Sequence, residues 1–317
     1  MWFRRLLSAF ALLVPLILVA IAVFLVSYAW PALHFNRFDF LLHDIWNIGN
    51  QYAAPIRQRG ATIMPGARFG IFFLVVGTLA SALIGLLIAF PLGLGAALFL
   101  SEAVPRRLGH LVSFFVELLA AIPSVVFGLW GIVFLVPLLS HHVYPVLADT
   151  LYFLPFFRRP TGSGYGLLTS GLILSLMIVP FIAATLRDAL QSQSHAMREA
   201  GISLGATRFE VATRILLPGQ KVALAGATML AFGRALGETM AVLMVSGNAL
   251  NYLPQNIYSP ISTMAAFIVA QLDSALADPT GMAVRSLAEI AVLLLLISLL
   301  VNGIARVMIG TLKEHAL

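Results

Sequence analysis

Long apolar runs constrain this chain more than any other feature. A helix needs about 20 apolar residues to cross the hydrocarbon core of a bilayer. Six segments reach that length: Leu6–Leu33, Phe69–Leu100, Leu108–Leu139, Gly166–Leu186, Val222–Gly247 and Leu287–Arg306. A spanning helix satisfies its own backbone hydrogen bonds in lipid, so the expected fold class is an all-α membrane protein with six transmembrane helices. Composition agrees. The chain is 60% hydrophobic and 10% charged, with a mean hydropathy of +0.98, against about 25% charged in soluble domains. The first run, behind Arg4 and Arg5, exceeds the apolar region of a signal peptide and reads as a retained helix.

With so few charges, their positions matter. The basic residues are scattered through loops rather than gathered on one face, so the pI near 10.1 does not point to nucleic acid. No cysteine is present, which excludes disulfides, thiolate metal sites and a cysteine nucleophile. No G-x4-G-K-[ST], H-E-x-x-H or G-x-S-x-G pattern occurs, and Lys221 and Lys313 are the only lysines. The chain is therefore expected to be no enzyme and to carry no cofactor or metal. His141-His142 reads as a solvated turn in a loop.

Arg234 falls at the middle of the fifth run, where an arginine costs about 2.5–3.5 kcal/mol on insertion scales. Glu238, four residues on, is one turn away and within reach of an ion pair. Gly233, Gly237 and Ala241 recur every fourth position and permit close approach of another helix. Two readings stand for this cluster: a buried pair holding helices in register, or the lining of an anion path. Glu117 lies in the third run, with Arg234 as a candidate partner, and Glu289 is expected to pair with Arg285. Pro91, Pro123 and Pro180 interrupt runs and predict kinks. Ser262–Asp278 reads as a helix capped by Ser262 or Thr263 and ended by Pro279.

Between the fourth and fifth runs the chain reads Glu199-Ala200-Gly201, three residues, Gly205, nine residues, then Ile215-Leu216-Leu217-Pro218. This resembles the EAA loop of permease subunits of bacterial ABC importers, E-A-A-x3-G-x9-I-x-L-P, and departs from it only at Gly201. The segment 195–219 predicts a short helix through Glu199 and Ala200, a turn at Gly205, a second helix over Arg208–Leu217 and Pro218 opening the fifth span. Leu204 and Phe209 would then face a groove on another protein.

A loop of that kind is cytoplasmic, as Arg4 and Arg5 also suggest for the N-terminus, so an even number of crossings must precede it. Leu108–Leu139, with Pro123 near its centre, could be one kinked helix or two short passes; the topology makes it a single net crossing. Both termini then lie inside. The segments assigned to the cytoplasm hold 11 Lys+Arg in 59 positions and the outer ones 7 in 99, the sense of the positive-inside rule. Arg57, Arg59 and Arg68 form an awkward outer cluster.

The wider resemblance is to the C-type permease subunits of bacterial phosphate-specific (Pst) ABC importers. It is carried by the runs Phe115–Gly131, Arg198–Pro218 and Phe232–Ala241, together with Tyr28–Ala32 and Pro91–Gly95. It extends over nearly the whole chain, less clearly over 34–68. The resemblance implies a type I importer permease (MetI-like) fold, with an N-terminal helix and periplasmic loop over 1–68 and a core over 69–317. It implies a heterodimer with an A-type permease, a dimer of ATPase subunits that supplies ATP-Mg, a periplasmic phosphate-binding protein and residence in the bacterial inner membrane. It assigns Arg234 and Glu238 to the substrate path, with Glu117 nearby. Glu199, Ala200, Gly201, Gly205, Ile215, Leu217 and Pro218 fall to ATPase coupling, within an alternating-access cycle. Sulfate, molybdate or tungstate as cargo, or an ATP-independent anion carrier, are the competing readings.

Overall fold

A computed structural model describes residues 2–314, so residues 315–317 of the expected core lie outside it. Helices dominate. They are α1 (Trp2–Asn36), α2 (Asp39–Leu42), α3 (Phe72–Ala103), α4 (Arg106–Ala120), α5 (Ser124–Thr150) and α6 (Leu167–Gln191). There follow α7 (His195–Ser203), α8 (Arg208–Gly219), α9 (Lys221–Leu236), α10 (Met240–Val245), α11 (Met264–Leu276) and α12 (Met282–Glu314). Among the described residues, α1, α3, α5, α6 and α12 are long and apolar enough to cross a membrane. A sixth span is formed if α8 and α9, bent by 76° at Gln220, are counted together.

The core is built on α3 against α6. Along α3 the residues Gly77, Ser81, Gly85, Ala89, Gly93 and Ala97 recur every fourth position, and all are buried. That period keeps small side chains on one stripe of a helix. In a membrane there is no hydrophobic drive between helices, so close backbone approach across such stripes supplies the packing. A Cβ added at Gly85 would lie 2.9 Å from the Cβ of Leu174, and one at Gly93 would lie 2.8 Å from the Cβ of Ile182. Pro91 and Pro180 sit inside α3 and α6 without ending either helix.

Two expected spans are broken. Leu108–Leu139 is not one helix: α4 stops at Ala120, Ala121–Pro123 leave the helical path, and α5 starts at Ser124 and runs on to Thr150. Pro123 has no N–H to donate and opens the next helix. His141 and His142 are consequently helical and exposed within α5 rather than in a loop. Val222–Gly247 likewise divides. α9 ends at Leu236, Gly237–Thr239 are unwound, and the short α10 continues. The second pieces of the two broken spans, α5 and α10, run side by side: a Cβ at Gly128 would lie 3.1 Å from the Cα of Ala241, and one at Gly131 would lie 2.8 Å from Val245 Cγ1.

The helix expected over Ser262–Asp278 is α11, shorter at both ends. Thr263 precedes it without using its hydroxyl as a cap. α1 is exposed along most of its length and meets the core only near its end, through Ala29, Ala32, Phe35 and Asn36. There Asn36 Nδ2 donates to Glu289 Oε2 at 2.7 Å and to Ser286 Oγ at 3.3 Å. Glu289 is thus engaged by Asn36 on another helix and not by Arg285. The segment after α1 forms two small antiparallel pairs, Trp46↔Phe69 and Ile56↔Ile63 among their registers. Arg59, at the tip of the second, pairs with Asp39 at 3.0 Å, which absorbs one member of the awkward basic cluster.

Candidate functional site

The loop between α6 and α9 is built as two short helices closed by a tight turn. Glu199, Ala200 and Gly201 lie in α7. Gly205 follows with φ +87°, a left-handed backbone that glycine adopts without steric cost. Thr207 then opens α8 with a reciprocal cap: its hydroxyl accepts from Glu210 N–H, and the Glu210 carboxylate accepts from Thr207 N–H. The T-x-x-E pattern that produces this is legible in the sequence. α8 ends in Leu217-Pro218-Gly219, so Pro218 closes this helix rather than opening the span, which begins at Lys221.

Gly201 is where the chain departs from the EAA pattern, and the packing explains it. The residue is buried, and a Cβ would lie 2.8 Å from Ile215 Cδ1 and 2.9 Å from Val211 Cγ2. Ile215 and Val211 belong to the apolar cluster that seats α8 against α6 and α9, so the motif's distant positions meet in one contact. Leu204 and Phe209 take the opposite role. They are 89% and 73% exposed at the tip of the loop, as the sequence predicts.

Behind the tip lies a polar cleft of about 840 Å³, lined among others by Glu102, Glu117, Arg187, Arg198, Glu199 and Arg208. Glu117 does not meet Arg234. It pairs with Arg187 at 2.9 Å, which also holds Asp188 at 2.6 Å. Arg198 pairs with Glu102 at 3.0 Å across 96 positions of sequence. Sequence reasoning assigned no role to Arg187, Arg198 or Glu102, because nothing local announces a partner that far along the chain.

Glu210 is exposed, and its carboxyl is held below the usual carboxylate range. The Thr207 backbone N–H is the main cause, with the Thr207 hydroxyl and Arg214 adding to it. A depressed folded-state value means the cap's contribution is present above the unfolded value and is lost as pH falls through the folded one. Hydrogen exchange over 207–213 is therefore expected to be insensitive between pH 6 and 8 once intrinsic rates are removed, and to rise below about pH 4. Thr207→Ala should raise the same exchange roughly fivefold at neutral pH, the size of a lost N-cap.

At the second candidate site, Arg234 occupies the last turn of α9 and is exposed. A cation there complements the partial negative charge of the helix C-terminus. The expected Arg234–Glu238 ion pair does not form, because the helix has ended between them. Glu238 Oε1 instead accepts from the backbone N–H groups of Thr239, at 3.1 Å, and Ala241, at 3.3 Å. Among the described residues no carboxylate lies within ion-pair distance of Arg234. Leu230, Arg234 and Gly237 form an exposed stripe at helical spacing, directed away from the core of this chain. No group of three or more potential metal ligands occurs among the described residues.

Residues 89–312 match the family model for the binding-protein-dependent transport system inner membrane component. A Mycobacterium tuberculosis protein, "Phosphate transport system permease protein PstC 1", is 43% identical over 317 residues, covering 99% of this chain and 94% of its own length. "Phosphate transport system permease protein PstC" of Haemophilus influenzae is 36% identical over 98% of this chain and 93% of its own. Solved structures share the fold. One chain of a bacterial alginate ABC transporter, in complex with an alginate pentasaccharide-bound periplasmic protein, aligns with a TM-score of 0.58 at 18% identity, covering 96% of both chains. A chain of the inward-facing MetNI methionine ABC transporter aligns with a TM-score of 0.54 at 18% identity, over 76% of this chain and 97% of its own. The architecture is that of a type I ABC importer permease, and the chain belongs to the family of binding-protein-dependent transport system inner membrane components, among the phosphate permeases of the C type.

Proposed function

We propose that this chain is the C-type permease subunit of an ATP-driven phosphate importer and that its two sites divide the work. The α7–α8 loop receives an ATPase subunit, and the exposed stripe around Arg234 lines the substrate path against a second permease of the A type. The observation that carries the coupling role is the loop tip. Leu204 and Phe209 stand out in water on a turn that is rigidly capped at Thr207 and packed from behind through Gly201. Two exposed apolar side chains on a helical corner are the anchor pattern of a helix-in-groove contact.

On this reading the loop end of the bundle, with both termini, faces the cytoplasm of a cell whose inner membrane holds the protein. A periplasmic phosphate-binding protein would deliver cargo to the far end. ATP-Mg belongs to the partner, whose closure moves the loop and alternates access to the path. At the path itself, the exposed Arg234 guanidinium would supply the planar fork that matches phosphate oxygens.

The test is uptake of labelled phosphate by phosphate-starved cells with the gene deleted, then restored as wild type, as Glu199→Arg or as Leu204→Asp/Phe209→Asp. Wild type should restore uptake without competition from sulfate or molybdate. Both loop variants should reduce it at least tenfold, the loss of one or two buried anchors. Unchanged uptake in the loop variants would remove the coupling role, and competition by either oxyanion would change the cargo.

A further inference from the structure

A loop pushed by a partner moves the membrane helices only where it is stiffly joined to them. The chain itself joins α7 to α6 through Ser192–Ser194 and joins α8 to α9 through the sharp bend at Gln220. Neither connection reaches α3. Val211 and Leu216 of α8 share an apolar cluster with Ala89 and Ala97 of α3, and Arg198 adds a directional link. Arg198 donates from Nε and Nη2 to the Glu102 carboxylate at 3.0–3.3 Å, and Glu102 lies in the widened, π-helical last turn of α3. The same guanidinium donates to the carbonyls of Leu190, at 2.8 Å, and Gln193, at 3.0 Å, at the end of α6 and just beyond it. The side chains of Arg198 and Glu102 are only 15% and 16% exposed.

We infer that Arg198 is a positioning residue for coupling, and that the Glu102–Arg198 pair is a strut carrying displacement of the docking loop into α3. This rests on the α7–α8 loop being the ATPase contact. The geometry suits the task. A bidentate guanidinium–carboxylate pair resists sliding and rotation together, which a single hydrogen bond does not. Its burial makes each partner costly to leave alone. α3 is in turn packed along its small-residue stripe against α6, so α3, α6 and the loop move as one block. The Glu117–Arg187 pair stands across the same cleft, joining α4 to α6. Without the Glu102 link the joint between the loop and α3 would be left to non-directional apolar packing around Val211 and Leu216, which resists sliding less.

The experiment uses the full transporter in proteoliposomes, reading ATP hydrolysed per phosphate moved. Glu102→Gln, Arg198→Gln and Arg198→Lys should keep ATPase co-purification and hydrolysis within about twofold of wild type. Each should raise ATP consumed per phosphate roughly tenfold, a typical coupling factor between sites. Because the chain has no cysteine, Glu102→Cys/Arg198→Cys, assembled with partner subunits whose cysteines are replaced, can be bridged selectively by a short bifunctional methanethiosulfonate. The reduced double variant should be uncoupled, and bridging should restore phosphate transport; a purely structural role would give no such reversible recovery. Wild-type stoichiometry in the glutamine variants, or a bridged protein that stays uncoupled, would overturn the strut. Leu204→Asp/Phe209→Asp, tested beside them, fails separately: retained assembly and uptake there would overturn the docking role of the loop.

Discussion

Replacing Arg234 with glutamine is expected to lower phosphate uptake by about 10- to 100-fold while leaving membrane insertion and assembly with partners intact. A hydrogen bond to a charged group contributes about 1.5–3 kcal/mol, and on the proposed path a permeating phosphate would lose at least one with the guanidinium. The side chain makes no ion pair among the described residues, so its removal strands no acid and should not destabilise the fold. Arg234→Lys keeps the charge but not the fork and should fall between the two. Glu238 separates a structural from a transport role at the same break. Its carboxylate accepts from Thr239 and Ala241 N–H. Glu238→Gln retains an accepting oxygen and should keep α10 capped, whereas Glu238→Leu leaves both N–H groups unanswered. Uptake measured against the amount of assembled complex checks each variant. Full uptake by Arg234→Gln would take Arg234 off the path.

The second large effect lies in packing. Gly85→Leu should destabilise the protein by about 3 kcal/mol, the upper end of overpacking costs in well-packed interiors. The new side chain has nowhere to go: its Cβ alone would be 2.9 Å from the Cβ of Leu174 and 3.2 Å from the carbonyl oxygen of Gly171. Backbone and branch-point atoms cannot swing aside as a flexible side-chain end can. Gly95→Leu provides the control on the same helix, since a Cβ there meets nothing within 4 Å. Thermal unfolding in detergent, followed by loss of the monodisperse peak, should separate the two variants clearly. Equal melting of Gly85→Leu and Gly95→Leu would remove the α3–α6 stripe as the organising contact.

The α7–α8 loop was legible because its signals are local. Gly205 in a left-handed turn and the spacing from Glu199 to Pro218 are properties of about twenty consecutive residues, although Pro218 closes α8 instead of opening the next span as expected. Leu204 and Phe209 follow from them as exposed corners. The stripe from Gly77 to Ala97 is equally local, an i,i+4 repeat, although sequence reasoning looked for such a stripe only at Gly233, Gly237 and Ala241. The helix breaks were half legible. Pro123 marks a place where a helix must bend, yet the prolines inside α3 and α6, Pro91 and Pro180, leave those helices intact. Whether the freed carbonyl finds a neighbour is decided by the surrounding helices.

Pairings of charges were the least legible. Arg234 and Glu238 stand four residues apart, and a continuous helix would have joined them; unwinding at Gly237 sends the carboxylate to backbone N–H groups instead. Glu117 met Arg187 rather than Arg234, Glu289 met Asn36 rather than Arg285, and Arg198 met Glu102. By itself the sequence determined what depends on near neighbours: apolar length, turn chemistry, the cap at Thr207 and the exposed loop tip. Only the tertiary structure decided which buried polar groups face one another. That choice follows from which helices approach most closely, and in a membrane close approach is set by small residues on helices far apart in the chain.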